Sequence, residues 1–264
     1  MNKLLLSVLL SSLPFTAFAK GDDGDGPSGG PPRWGVGLGA MIKDSPYAGE
    51  GTSVQPIPLV SYEGDRFYFR GITAGWRFID TDSFELSAMG KLRFDGFKVD
   101  DLGRVELARN GIDYRLLEDR DMGIDLGLGM KWKGRGGELE MELLADATGT
   151  SKGQSLSLEY GYPITLGKGQ LTPKVGVTWQ SKDLTNYYYG TLPEEIARGV
   201  VNYKPDAVTI PHVGVSYFRP LGEKWSVISF ASYSSLPDEI TDSPLLKPDT
   251  DGRASVFIGF SRGF

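Results

Sequence analysis

His212 is the chain's one histidine and its first candidate for acid–base chemistry, because an imidazole titrates near neutrality and can activate a hydroxyl nucleophile. Catalysis of that kind needs a serine held beside it. Ser229 and Ser255 fall on neighbouring stretches, but neither sits in a recognisable nucleophile motif. His212 shares parity with Gly214 and Ser216, which marks it as a plain histidine on the polar face of a strand. Asp22, Asp23 and Asp25 invite a calcium reading, yet Pro31-Pro32 stands where the twelve-residue calcium loop needs its closing glutamate. No catalytic residue, metal or cofactor is assigned, and the chain is read as not an enzyme.

Two other groups carry potential function. Lys131 and Lys133 close one segment, while Glu138, Glu140 and Glu142 open the next across a short Gly-rich turn. Cross-strand pairing sets such opposite charges side by side. Lys91, Arg93, Glu85, Glu159 and Lys174 extend the mixture. A selective pore favours a ring of one sign, so the mixture favours an internal salt-bridged network. Tyr187, Tyr188 and Tyr189 lie together in a long polar segment, either as an exposed adhesive patch or as rings that order their own loop.

The elements that must position these groups follow a period of two. From Asp121 to Lys133 every even residue is apolar (Met122, Ile124, Leu126, Leu128, Met130, Trp132) and every odd one is Gly, Asp or Lys. The next segment alternates Leu139, Met141, Leu143 and Ala145 against Glu138, Glu140, Glu142 and Asp146. Alternation with a charged second face is the pattern of a membrane β-barrel, apolar outward and polar inward. A soluble β-sandwich is the rival. It does not explain why Trp34, Trp76, Trp132, Trp179 and Trp225 all fall in or at the ends of strands on the apolar parity, as interfacial girdles do.

The ends and the composition agree. Lys3, the apolar stretch Leu4–Leu13 and Ala17-Phe18-Ala19 form a signal peptide over 1–19, with cleavage expected before Lys20. Residues 20–33, rich in Gly, Asp and Pro, are expected to be a flexible periplasmic tether, and 34–264 the barrel. The 36 glycines suit strands and turns, and the absence of cysteine excludes a disulfide scaffold. A net charge of −6 leaves no basic surplus for nucleic acid. Outer-membrane lipid is the partner that the pattern itself requires.

Long polar segments at 95–120, 181–206 and 236–252 are expected outside the cell, and short turns at 79–82, 133–137, 167–169 and 220–224 inside. Eleven strands can be counted, whereas a single-chain barrel with both ends periplasmic needs an even number. The apolar face of 66–78 is odd at Phe67 and Phe69 but even at Ile72, Ala74, Trp76 and Phe78. A face switch at Arg70-Gly71 implies a bulge or a break into two short strands. Twelve strands are favoured over ten. Val256, Ile258, Phe260 and Phe264 share one parity on the last strand, interrupted by Arg262.

Several stretches exceed plain alternation: Pro56-Ile57-Pro58-Leu59-Val60-Ser61-Tyr62-Glu63-Gly64-Asp65 before Phe67-Tyr68-Phe69-Arg70-Gly71, then Leu117-Glu118-Asp119-Arg120, Asn186-Tyr187-Tyr188-Tyr189-Gly190, Tyr203-Lys204-Pro205, and Leu236-Pro237-Asp238-Glu239-Ile240-Thr241-Asp242-Ser243-Pro244. In this order and spacing they resemble the MipA/OmpV family, over Trp34 to Phe264. The resemblance implies an outer-membrane barrel acting as an envelope scaffold that links a lytic transglycosylase with a penicillin-binding protein. Other members of that family imply adhesin or permeability roles, so a surface adhesin and a small porin-like channel stand as alternatives. Asp242, Ser243 and Pro244 join the three tyrosines as interaction candidates. Neither the partner nor the oligomeric state follows from the motifs.

Overall fold

The computed structural model describes residues 32–264. The signal peptide and nearly all of the tether lie outside the described residues. Thirteen strands form one antiparallel sheet: β1 (Trp34–Asp44), β2 (Thr52–Glu63), β3 (Phe67–Arg70), β4 (Thr73–Asp80), β5 (Phe84–Arg93), β6 (Gly123–Gly134), β7 (Gly137–Asp146), β8 (Gln154–Gly161), β9 (Ile164–Leu166), β10 (Gly169–Gln180), β11 (Val208–Leu221), β12 (Trp225–Ser235) and β13 (Gly252–Gly263). Pairing of β13 with β1 and of β10 with β11 closes the sheet on itself. β8 and β9 both pair with β10 in one unbroken register, Lys174 opposite Gly161 and Leu171 opposite Ile164. They are one stave that lapses where Pro163, near Pro173 on the neighbouring strand, removes a ladder donor. The barrel therefore has twelve staves. Closure matters because hydrocarbon offers no partner for an open sheet edge.

The twelfth stave comes from the break at Arg70-Gly71. Gly71 takes φ 62°, and the chain reverses so that Arg70 pairs with Thr73. The β3–β4 hairpin is short, and a register shift between Arg77 and Ile79 leaves Phe78 and Ile79 both exposed.

Alternation does what the sequence demands. Leu38, Leu126, Leu128, Val175, Val213 and Ile258 are exposed on the outer wall, where bilayer replaces water. Trp34, Tyr62, Phe67, Trp76, Trp132, Trp225 and Phe264 gather near the end with the short turns, as an aromatic girdle does. Trp34 packs on Tyr62 at 4.8 Å between centroids. Arg262 has its place here. It lies over the rings of Phe264 (4.9 Å) and Trp225 (5.8 Å), a cation–π arrangement that keeps a lipid-facing arginine at the rim.

The lumen has two unlike walls. On β1, β2, β11, β12 and β13 the inward residues Met41, Ile57, Leu59, Phe218, Ile228 and Phe257 form an apolar cluster against Ile72 and Phe230. Phe257 stacks on Phe230 at 5.3 Å, and its ring lies over Gly39, where any Cβ would meet it at 2.4 Å. Staves β3 to β10, with Glu63 at the end of β2, carry most of the charges.

Candidate functional site

The charged wall is an ion-pair ladder climbing the lumen. Nearest the short turns, Glu63 accepts from Arg70 (2.5 Å) and Arg77 (2.6 Å), and Arg77 also reaches Glu85 (3.0 Å). Above them Lys131 pairs with Glu138 (3.0 Å) and Glu140. Glu142 turns to Lys91 on the other side of β6 (2.9 Å), and Glu159 takes Lys174 (2.7 Å) and the Nε2 of His212 (3.4 Å). Lys133 stands opposite Glu138 in the β6–β7 register, but it makes no ion pair among the described residues. Partly buried charges of this kind are held by geometry, since each partner repays the desolvation of the other. A cavity of about 80 Å³ remains between Lys91, Arg93, Asp125, Glu142, His212 and Arg253.

At its upper end the ladder meets a cap. Arg93 bonds Asp125 (2.7 Å) and Asp95 (3.1 Å), and Arg253 approaches Asp95 at 3.6 Å. Burial opposes ionisation of Asp95, but Arg93 and Arg253 outweigh it and hold the carboxyl below its usual range.

The cap is made of the three long loops and the β1–β2 connection. Each loop carries short helices: α1 (Arg104–Arg109), then α2 (Lys182–Tyr189) and α3 (Pro193–Ala197), then α4 (Asp238–Thr241). Their apolar residues bury one another over the barrel mouth. Tyr47, Phe97, Leu107, Ile112, Leu184, Tyr188, Ile240 and Leu245 belong to a single cluster. Asn110 crosses from α1 to the carbonyls of Pro244 (2.9 Å) and Leu246 (2.8 Å).

At the centre Arg120 and Glu195 form a two-pronged pair, both bonds 2.8 Å, with both side chains fully buried. Every remaining valence is used. Arg120 donates to the carbonyls of Tyr187, Gly190 and Glu118, and Glu195 accepts the backbone N–H of Glu118 and of Leu192. The last contact is the glutamate half of a capping box, which starts α3.

The sequence candidates fall in this cap or in the ladder. Tyr188 and Tyr189 are buried, and burial pushes both phenols up. Tyr187 is half-buried and accepts the N–H of Asp121 at 2.9 Å. Ser243 is buried and donates to the carbonyl of Tyr189 (2.6 Å), Pro244 is half-buried, and Asp242 is exposed. Nothing in the sequence marks Arg120 and Glu195 as partners. They lie 75 residues apart, and no local pattern links them. The only signal was Arg120's place in a stretch that alternation does not explain.

The family model of MltA-interacting protein MipA matches residues 36–264. Two relatives from Escherichia coli K12 are each 31% identical to the chain. One is named MltA-interacting protein, with 97% of both chains covered, and the other putative outer membrane protein YiaT, with 90% of this chain and 91% of the relative covered. Among solved structures the NanC porin superposes with a TM-score of 0.49 at 8% identity, over 87% of this chain and all of that one.

Proposed function

The chain belongs to the MipA family and is an outer-membrane β-barrel, and from that premise we propose that it is a non-conducting, non-catalytic scaffold of the cell envelope. Its partners in this reading are a lytic transglycosylase and, through it, a penicillin-binding protein, met from the periplasmic side. One observation carries the reading: the long external loops are spent on one another around Arg120–Glu195. They form a plug more than a display surface, which favours the periplasmic rim over an adhesive face. The paired charges of the lumen argue in the same direction, because they leave no ring of one sign to select an ion. The imidazole of His212 is engaged by Glu159, which suits a strut in the ladder better than a general base. The short turns give a partner little to hold. The 14-residue stretch 20–33, read as a tether, would reach about 45 Å when extended and supply the missing surface.

The test is a crosslinking pull-down from intact envelopes, with the full chain and with a chain lacking 21–32. Recovery of a lytic transglycosylase with the full chain, and its loss on deletion, supports the scaffold and the tether together. Unchanged recovery on deletion removes the tether from the account. No recovery with either chain removes the murein partner.

A further inference from the structure

We propose that the barrel wall contains a lateral window in its outer half, through which an acyl chain of an outer-leaflet lipid reaches the apolar side of the lumen. The window follows from the shortness of β3 and β4. Residue levels run across the wall as Ser61, Arg70, Thr73 and Lys91, paired in turn. Below that level β2 and β5 are joined by the β3–β4 hairpin. Above it β3 and β4 have ended, and Thr52–Val60 of β2 has β1 on one edge and, among the described residues, no strand on the other.

Where the wall is complete, β2 and β5 stand three strand spacings apart, about 14 Å. The free stretch runs about 25 Å along the strand. Among the described residues no backbone hydrogen bond joins it to the chain leaving β5. The frame closes at both ends: the Gly71 N–H donates to the Val60 carbonyl (3.0 Å) below, and the Gly103 N–H donates to the Ala48 carbonyl (2.9 Å) above.

The chemistry of the free edge selects its occupant. Val60 directs its carbonyl toward β3, whereas Glu63 bonds back to Arg33, so the even residues of β2 point their backbone groups into the window. Two of them are Pro56 and Pro58, which have no N–H. In hydrocarbon an orphaned donor costs several kcal/mol, and proline removes it. The same prolines disfavour a partner strand, which needs those donors to extend a sheet. Outward side chains along the edge are Val54, Pro56, Pro58 and Val60, all exposed and apolar.

Behind the edge lie Ile57 and Leu59, and beyond them Met41 and Phe257 of the apolar wall. At the outer end a cavity of about 170 Å³ is lined by Lys43, Ser53, Gln55, Glu50 and Asp101. Charges of both signs there suit the polar end of a zwitterionic or hydroxylated lipid. An acyl chain fits the edge and the apolar wall behind it, and the lipid's polar end fits the cavity above.

The experiment uses the full mature chain in phosphatidylcholine vesicles doped with phosphatidylcholine bearing a diazirine midway along one acyl chain. After irradiation, adducts are mapped by peptide mass spectrometry. The expected result is adducts on the inward residues Met41, Ile57, Leu59 and Phe257, an order of magnitude above those on Glu140 and Ser157 of the charged wall. Adducts confined to outward residues such as Val54 and Leu126 would overturn the window. Equal labelling of both lumen walls would overturn it as well, since that shows entry from the barrel ends.

Discussion

Replacing Glu195 by glutamine tests the role of the cap at its most buried point. Both carboxylate oxygens accept two bonds, one each from Arg120 and one each from the backbone N–H groups of Glu118 and Leu192. A glutamine presents an NH2 where two of these donors point, so two acceptor contacts are lost and the buried Arg120 loses its counter-charge, keeping only its carbonyl partners. Breaking a fully buried pair by removing one partner costs about 3–5 kcal/mol. The pair ties the 181–207 loop to the irregular segment leading into β6, so the loss falls on cap opening, while the ladder of the barrel is untouched. At about 1.4 kcal/mol per factor of ten, the opening equilibrium of the cap rises by a factor of about 100 to several thousand. Amide exchange across 182–200 should accelerate by that factor, with exchange in β6, β7 and β10 unchanged. Trypsin added to intact cells should cut more readily at Arg198, whose bond to Gly199 is cleavable. Exchange in 182–200 equal to the parent protein would refute the claim that Arg120–Glu195 locks the cap. Acceleration throughout the strands would refute the claim that cap and barrel are separable.

Other expectations follow from the same geometry. In planar bilayers the parent protein should be silent at physiological salt, and steady single-channel steps would contradict a plugged lumen. Gly39→Ala pushes a Cβ into the Phe257 ring at 2.4 Å, so it should cost about 1–3 kcal/mol, read as a lowered urea midpoint of the reconstituted barrel. Asp95 has its folded pKa depressed, so its contribution is present above the ordinary carboxylate value of about 3.9 and is lost as pH falls through the lower folded value. The thermal midpoint should therefore fall on acidification below about pH 4 and hold between pH 5 and 7. Asp95→Asn should flatten that fall, and an unchanged acid slope in the variant would exclude Asp95 as its source.

The wall of the barrel was legible because one physical rule, outward apolar and inward polar, repeats at every second residue. Leu126, Leu128 and Trp132 are exposed where parity placed them. Even the twelfth stave left a trace, in the change of apolar parity between Phe69 and Ile72. Charge pairing was legible only between adjacent strands joined by a turn, as from Lys131 to Glu138 and Glu140. Glu142 was grouped with those two, yet it pairs with Lys91 from β5, 51 residues back. Period two says which face a residue occupies and nothing about which neighbour on that face its side chain chooses. The cap was illegible for a further reason. Its helices are only four to eight residues long, stabilised by long-range burial instead of local propensity, so they carry little periodicity of their own.

The two walls of the lumen also explain where this barrel is weakest. Around most of the circumference each seam is a long ladder, with eleven residue pairs between β1 and β2, and the charged wall adds ion pairs that bridge neighbouring staves, as Lys131–Glu140 and Lys174–Glu159 do. Between β2 and β3 there are three pairs, at Ser61, Tyr62 and Glu63. That seam is held by the contacts of Glu63, whose carboxylate takes Arg70 from β3 and Arg77 from β4. Both arginines stack on Tyr68, at 4.4 and 4.7 Å from the ring centre. A charge-assisted clamp at the base of a free edge is what a locally shortened wall requires. Backbone pairing cannot hold the hairpin there, and a hydrophobic contact facing lipid gains nothing by leaving it. Glu63 therefore carries a closing role that a full-length strand would have shared among several ladder bonds.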